Sequence, residues 1–193
     1  MSLQGCRTTA DYLNWNDMFV LVQKLNRDGK HKLALLVAAG SYTGLRISDL
    51  LTLQWDHLLT KPHLIITEQK TSKRRRIKIN GELLEVSRSL FDKCRVQRID
   101  ELIFLNCNTG KVFTVQHLNR LLKVIRVRYR LNIENFSTHT LRKTFGRHIW
   151  EQSGYSERAI TLLSEIFNHS SYRITRRYLG INDEDIDSVY ELL

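Results

Sequence analysis

The 193-residue chain reads as one mainly α-helical domain carrying a small antiparallel β-sheet, an α+β architecture. Three observations predict this. Apolar residues recur at helical spacing through most of the chain. Two β-branched runs joined by a charged turn switch to the period of strands. A single proline and the absence of any Ser/Gly linker leave nothing to divide the chain into halves. The length and the 42% hydrophobic content suit one well-buried core.

The elements follow in order. Asn14 caps a first helix whose positions Met18, Leu21, Val22 and Leu25 share one face, closing near Asp28 and Gly29. A second helix runs from about His31 to Tyr42 and ends at Gly44; a third begins around Arg46, with Ile47, Leu50 and Leu51 facing inward. HLIIT at 63–67 and RIKIN at 76–80 form a hairpin, and Gly81 opens a helix to about Arg95. ELIFLN at 101–106 reads as a short buried extended run. Helices follow at about 114–131, 138–153 and 156–167, and NDEDIDSVYELL reads as a capped final helix with acids in its first turn.

The stretch FNHSSYRITRRYLGI, 167–181, sets His169 nine positions ahead of Tyr178. At about 100° per residue, nine steps along one unbroken helix would leave the two roughly half a turn out of phase. If they cooperate, the backbone breaks between them. Asn168 can end one helix in the left-handed conformation, and Ser170 or Ser171 can cap the next.

Thirty Lys plus Arg against twenty Asp plus Glu give +10, an excess that favours a polyanionic partner, nucleic acid or an anionic membrane surface. Residues 70–78 hold six basic side chains in nine, which repel one another unless an anion neutralises them. Residues 120–130 hold five in eleven. There Leu118, Leu121, Leu122, Ile125 and Tyr129 form an apolar stripe, with Arg120, Lys123, Arg126 and Arg130 opposite. A solvated helix face explains that pattern as well as an anion contact does. Cys6, Cys94 and Cys107 are odd in number and lack C-x-x-C spacing, so neither a disulfide framework nor a zinc site is indicated. No apolar run approaches the roughly 20 residues that span a bilayer, and MSLQGCRTTADY has no apolar signal region.

His139 and Arg142 stand three apart in THTLRK and would share a helix face. Arg46 lies among residues that should pack, so its charge needs an anionic partner, with Asp49 the nearest structural choice. Lys70 ends the first hairpin strand and Lys73 sits in the turn. Together with His169 and Tyr178 these side chains suit metal-free chemistry at a phosphodiester. Two guanidiniums can grip nonbridging oxygens, a lysine can protonate a departing oxygen, imidazoles can move protons, and a phenol can attack phosphorus. A two-metal nuclease would need clustered carboxylates, and the acids here are scattered or gathered in the tail.

TGLRISDLLTLQWDHL, the basic hairpin, HTLRKTFGRH and NHSSYRITRRYLGI occur in an order and spacing that resembles the catalytic domain of tyrosine recombinases, the phage and transposon integrase family. The likeness covers about residues 14–181. It implies that Arg46 and Arg142 clamp the scissile phosphate and that Tyr178 forms a 3′-phosphotyrosyl bond. It further implies Lys70, or alternatively Lys73, as general acid, His139 as an aid to proton transfer, and His169 as a hydrogen-bond donor to a phosphate oxygen. No cofactor or metal is expected. Double-stranded DNA is the expected partner, with contacts at Lys73, Arg74, Arg75, Arg76, Arg120, Lys123, Lys143, Arg173, Arg176 and Arg177, and no membrane role.

Strand exchange implies four protomers on two duplexes for a full-length protein, while an isolated domain is compatible with a monomer. Residues 1–13 read as a tail, with MSL a cloning remnant, and 14–193 as the catalytic domain; the core-binding domain usual in the family is not expected here. The expected location is the prokaryotic cytosol, at the nucleoid. A type IB topoisomerase-like enzyme and a non-catalytic DNA-binding module on the same fold are the competing readings.

Overall fold

The computed structural model describes residues 11–94, 96–106, 109–181 and 190–191. The chain runs α1 (Trp15–Arg27), α2 (His31–Thr43), α3 (Ile47–Leu50), α4 (Trp55–Leu59), β1 (His63–Thr67), β2 (Arg74–Lys78) and α5 (Gly81–Lys93), then α6 (Val115–Arg128), α7 (Thr138–Gln152), α8 (Glu157–Phe167) and α9 (Tyr172–Leu179). Helix starts follow their cap residues. The side chains of Asn14, Asn80, Thr114 and Ser156 each accept a backbone N–H of the first turn, as polar N-cap residues do.

Helix α2 is the hub. Residues Ala34 to Ser41 are buried on every side, so it has no solvent face, and it packs against α1, α5 and α7. Its last turn ends at Gly44, whose left-handed backbone (φ 59°) and lack of a Cβ let Phe145 of α7 approach; a Cβ there would lie 2.5 Å from the ring. A large apolar cluster surrounds α2, while Trp150, Ala159, Ile160, Leu163, Phe167, Leu179 and Ile181 form a second, smaller one. That second cluster seats α8 and α9 against the C-terminal half of α7.

Several expectations shift. The second strand spans 74–78, pairing His63 with Lys78 and Thr67 with Arg74, so it starts two residues earlier than the RIKIN run suggests. Alternation along it turns Arg75 and Ile77 inward and Arg74, Arg76 and Lys78 outward. The 101–106 segment makes only isolated bridges, Gln54 with Leu102 and Leu105 with Val112, although Ile103 and Phe104 are buried. Helix α4, one turn that buries Trp55 and Leu58, has no counterpart in the expectation. Residues 11–13, assigned to the tail, dock on the domain: Leu13 is buried and donates its N–H to Thr144 Oγ1 at 2.9 Å. The expected final helix at 182–193 falls almost wholly outside the described residues, as do Cys6, Cys107 and Arg95. Among the described residues no helix is long and apolar enough to cross a membrane.

Candidate active site

Between the two apolar clusters opens a cavity of about 490 Å³. Arg46, Lys70, His139, Arg142, His169 and Tyr178 all line it, together with Leu45, Ile47, Ser48, Thr71, Thr138 and Asn168. Side chains from well-separated stretches of sequence therefore face one space.

Two arginines form its floor. Arg46, the N-cap residue of α3, donates Nη2–H to the Phe167 carbonyl at 2.9 Å and Nη1–H to Glu68 Oε2 at 2.6 Å. Arg142, one turn into α7 from His139, donates Nη2–H to the same Phe167 oxygen at 2.9 Å and Nη1–H to the Gly44 carbonyl at 2.5 Å. Phe167 ends α8, where last-turn carbonyls carry the partial negative charge of the helix. Its ring also lies under the Arg142 guanidinium, 4.3 Å from the centroid. Arg142 is only 4% exposed and makes no ion pair with a described residue. Burial is the main reason its pKa falls to about 10, so it keeps its charge at neutral pH. A buried guanidinium held only by neutral partners is a standing demand for an anion.

Asp49 is not the partner of Arg46. It is buried, and its Oδ1 accepts the Gln69 N–H at 2.8 Å, holding the strand end that leads to Lys70. The partner is Glu68, 2% exposed, which also accepts from Thr71 Oγ1 at 2.8 Å and pairs with Arg75 at 3.4 Å. Burial alone would raise its pKa; the Thr71 hydroxyl and the two guanidiniums outweigh that and hold it below the usual carboxylate range. Glu68 was legible in principle. Leu64, Ile66 and Glu68 continue one inward alternation, so an acid there has to meet a cation.

Asn168 ends α8 in the left-handed region (φ 51°, ψ 50°), and α9 starts at Tyr172 with Ser171 as its N-cap residue. The change of direction brings the rings of His169 and Tyr178 to 5.4 Å between centroids. His169 shares a hydrogen bond between Nδ1 and Thr175 Oγ1 at 2.9 Å, leaving its other ring nitrogen without a described partner. Burial, then the charges of Arg142, Arg46 and Lys70, lower its pKa to about 4, so the imidazole is neutral at pH 7. The same causes, burial first, lower that of His139, with Arg142, Lys143 and Lys70 contributing.

Tyr178 lies one residue before the C-terminus of α9, with its ring edge-on to Phe167 and its Oη 3.4 Å from the His139 carbonyl. Burial pushes its pKa up to about 12 despite the pull of Arg142 and Arg46. The resting phenol is protonated and needs a base to attack. The Lys143 ammonium sits 5.5 Å from the centre of that ring. Lys143 is 7% exposed, and Arg75 donates to the Thr43 carbonyl at 2.9 Å, so both turn into the protein. Of the other basic residues expected to touch DNA, Lys73, Arg74, Arg76, Arg120, Lys123, Arg173 and Arg177 keep solvent exposure, and Arg176 pairs with Glu157.

The phage integrase family profile matches residues 12–185. A Bacillus subtilis (strain 168) protein described as "Probable integrase/recombinase YoeC" is 34% identical over 153 residues, covering 79% of this chain and 80% of that protein. The fold is similar to that of XerA recombinase (TM-score 0.70, 20% identity, 94% of this chain and 64% of that one). It is also similar to XerH site-specific recombinase in a post-cleavage complex with its palindromic difH substrate (TM-score 0.68, 17% identity, 98% of this chain and 55% of that one). The chain thus spans a little over half to about two thirds of these two recombinases. With the family match running through every named helix and strand, the chain belongs to the phage integrase family and has the fold of a tyrosine recombinase catalytic domain.

Proposed function

We propose that the cavity is the catalytic centre of a site-specific DNA recombinase or integrase, which cuts and rejoins strands through a 3′-phosphotyrosyl intermediate. The observation that carries this reading is the pair of guanidiniums on one carbonyl oxygen beside Tyr178, with Arg142 buried and lacking a carboxylate partner among the described residues. Each arginine has five N–H donors and spends only some of them on protein acceptors, so further donors can reach the nonbridging oxygens of an entering phosphodiester. They would act most strongly on the extra negative charge of the pentacoordinate transition state.

In the proposed step, Tyr178 Oη attacks phosphorus, the bond from phosphorus to the 5′-oxygen breaks, and that oxygen takes a proton from Lys70 Nζ. The phenolic proton leaves by way of His139, whose low pKa keeps it a neutral acceptor. His169, with Nδ1 accepting from the Thr175 hydroxyl, then donates its single N–H, on Nε2, to a phosphate oxygen. The phosphotyrosine stores the bond energy, so a 5′-hydroxyl from another strand can reseal it without ATP. Double-stranded DNA is the substrate in this reading, reached through the exposed hairpin and α9 arginines, so binding weakens steeply with salt. Exchange between two duplexes calls for four protomers in the whole protein, and the reaction would take place at the nucleoid of the prokaryotic cytosol.

The test is a duplex nicked near the cleavage point, so that the released strand diffuses away, incubated in EDTA and run on a denaturing gel. A covalent protein–DNA band is expected, and Tyr178→Phe should abolish it. Adduct persisting in that variant would assign the nucleophile elsewhere; no adduct from the parent chain would favour a binding module.

A further inference from the structure

We infer that Lys73 and Asn168 form a latch that holds the hairpin tip over the cavity and so positions Lys70. This rests on the reading of Lys70 as general acid given above. The turn between β1 and β2 is bonded to itself: the Glu68 N–H donates to the Lys73 carbonyl at 3.0 Å, the Ser72 N–H to the Glu68 carbonyl at 2.8 Å, and Thr71 Oγ1 to the Glu68 carboxylate at 2.8 Å. Residues 68–73 therefore move as one body. Their buried ties, Glu68 to Arg46 and Gln69 to Asp49, both fall at the β1 end, which is the hinge about which the bonded turn tilts as a unit. Across that hinge, Lys73 Nζ–H donates to Asn168 Oδ1 at 2.5 Å.

Lys70 lies between the two ends of this arrangement. It is exposed and makes no hydrogen bond with a described residue, so the turn sets the point from which its side chain reaches into the cavity. Asn168 lines both the 490 Å³ cavity and a neighbouring one of about 260 Å³ that Lys73 lines on the far side. Lys73 is absent from the lining of the first cavity. The two lysines therefore differ in placement, since Lys70 lines the cavity and Lys73 bonds Asn168. Asn168 occupies a left-handed backbone position that glycine would adopt with less strain, so its amide side chain is a feature separable from the turn it makes.

That separability supplies the experiment. Asn168→Gly keeps the turn and removes the acceptor; Lys73→Met removes the donor from an exposed site. Single-turnover cleavage is measured on two nicked duplexes, one with oxygen and one with sulfur as the 5′-bridging atom at the scissile phosphate. In both, the bond from phosphorus to that atom breaks as Tyr178 attacks; a thiolate leaves without the proton that the 5′-oxygen needs. With protein saturating over duplex, Asn168→Gly and Lys73→Met should each lower the ratio of oxygen-duplex to sulfur-duplex rates by about threefold to tenfold, as expected for one solvent-accessible hydrogen bond to a charge. The double variant should be no slower than either alone. Lys70→Met, run alongside, should show a larger loss that sulfur restores.

Parent-like rates for Asn168→Gly on oxygen, or equal slowing on both duplexes, would overturn the latch. If sulfur rescues Lys73→Met and not Lys70→Met, Lys73 is the acid; the latch then falls while the phosphotyrosine reading stands. If sulfur rescues neither, the general-acid reading fails and takes the latch with it. Adduct retained in Tyr178→Phe marks failure of the whole proposal by a separate readout.

Discussion

Glu68→Gln isolates the residue on which the arginine floor depends. The carboxylate is 2% exposed and meets Arg46 at 2.6 Å and Arg75 at 3.4 Å. Removing one member of a buried pair costs about 3–5 kcal/mol when the remaining charge is fully dry. Here the guanidiniums keep 19% and 15% of their side-chain surface in solvent, and glutamine can still accept one hydrogen bond. Both reduce the cost, to about 2–3 kcal/mol at pH 7. For a chain of this length that lowers Tm by about 4–12 °C.

The pH dependence gives a second check with a definite sign. The folded-state pKa of Glu68 lies below its ordinary 4.5, so its contribution is present above that pH and is lost as pH falls through the folded value. The gap between parent and variant should therefore be constant near neutrality and narrow below pH 4.5. Inorganic vanadate or phosphate, offered to an Arg46 that has lost its counter-ion, should raise the variant's Tm more than the parent's. Thermal melts across pH, with and without the anion, measure all three. A variant melting within about 1 °C of the parent at pH 7 would refute the reasoning.

Gly146→Ala would place a Cβ 2.7 Å from Leu179 Cδ2 and about 3 Å from the Phe167 ring, wedging α7 from the helix that carries Tyr178. A loss of about 1–3 kcal/mol is expected, with adduct formation falling while duplex affinity measured by fluorescence anisotropy holds. Unchanged melting and cleavage would mean that the helices yield at that contact. His169, with its pKa lowered to about 4 from 6.5, binds its proton more readily unfolded, so its contribution to stability falls as pH drops from 6.5 toward 4. An anion in the cavity favours the imidazolium and should raise the NMR midpoint of that ring; a midpoint near 6.5 that ignores added vanadate would contradict the site's electrostatics.

The local grammar of the chain was readable without coordinates. Asn14, Gly44 and Asn168 mark helix ends because capping and left-handed geometry depend on a residue and its immediate neighbours. The break between His169 and Tyr178 was readable from helical phase, given that the two cooperate, together with Asn168 as a helix end and Ser170 or Ser171 as the next cap. Charge excess pointed to a polyanion, and residue types with their spacing pointed to the family. What local rules could not deliver was partnership at a distance. Arg46 had Asp49 one turn away and chose Glu68, because strand alternation carried that carboxylate inward to the α3 N-terminus. Arg75 and Lys143 joined the expected DNA contacts on charge alone, yet strand phase turned one inward, and the packing of α9 against α7 covered the other. Sequence by itself determined most of the helices, the presence of the hairpin and the helix ends at Asn14, Gly44 and Asn168, since those depend on propensity and periodicity, but it missed α4 and began β2 two residues late. Only the tertiary structure decided that both arginines share the Phe167 carbonyl and that Lys73 reaches Asn168, because such pairings arise where segments far apart in the chain are pressed together by two apolar clusters.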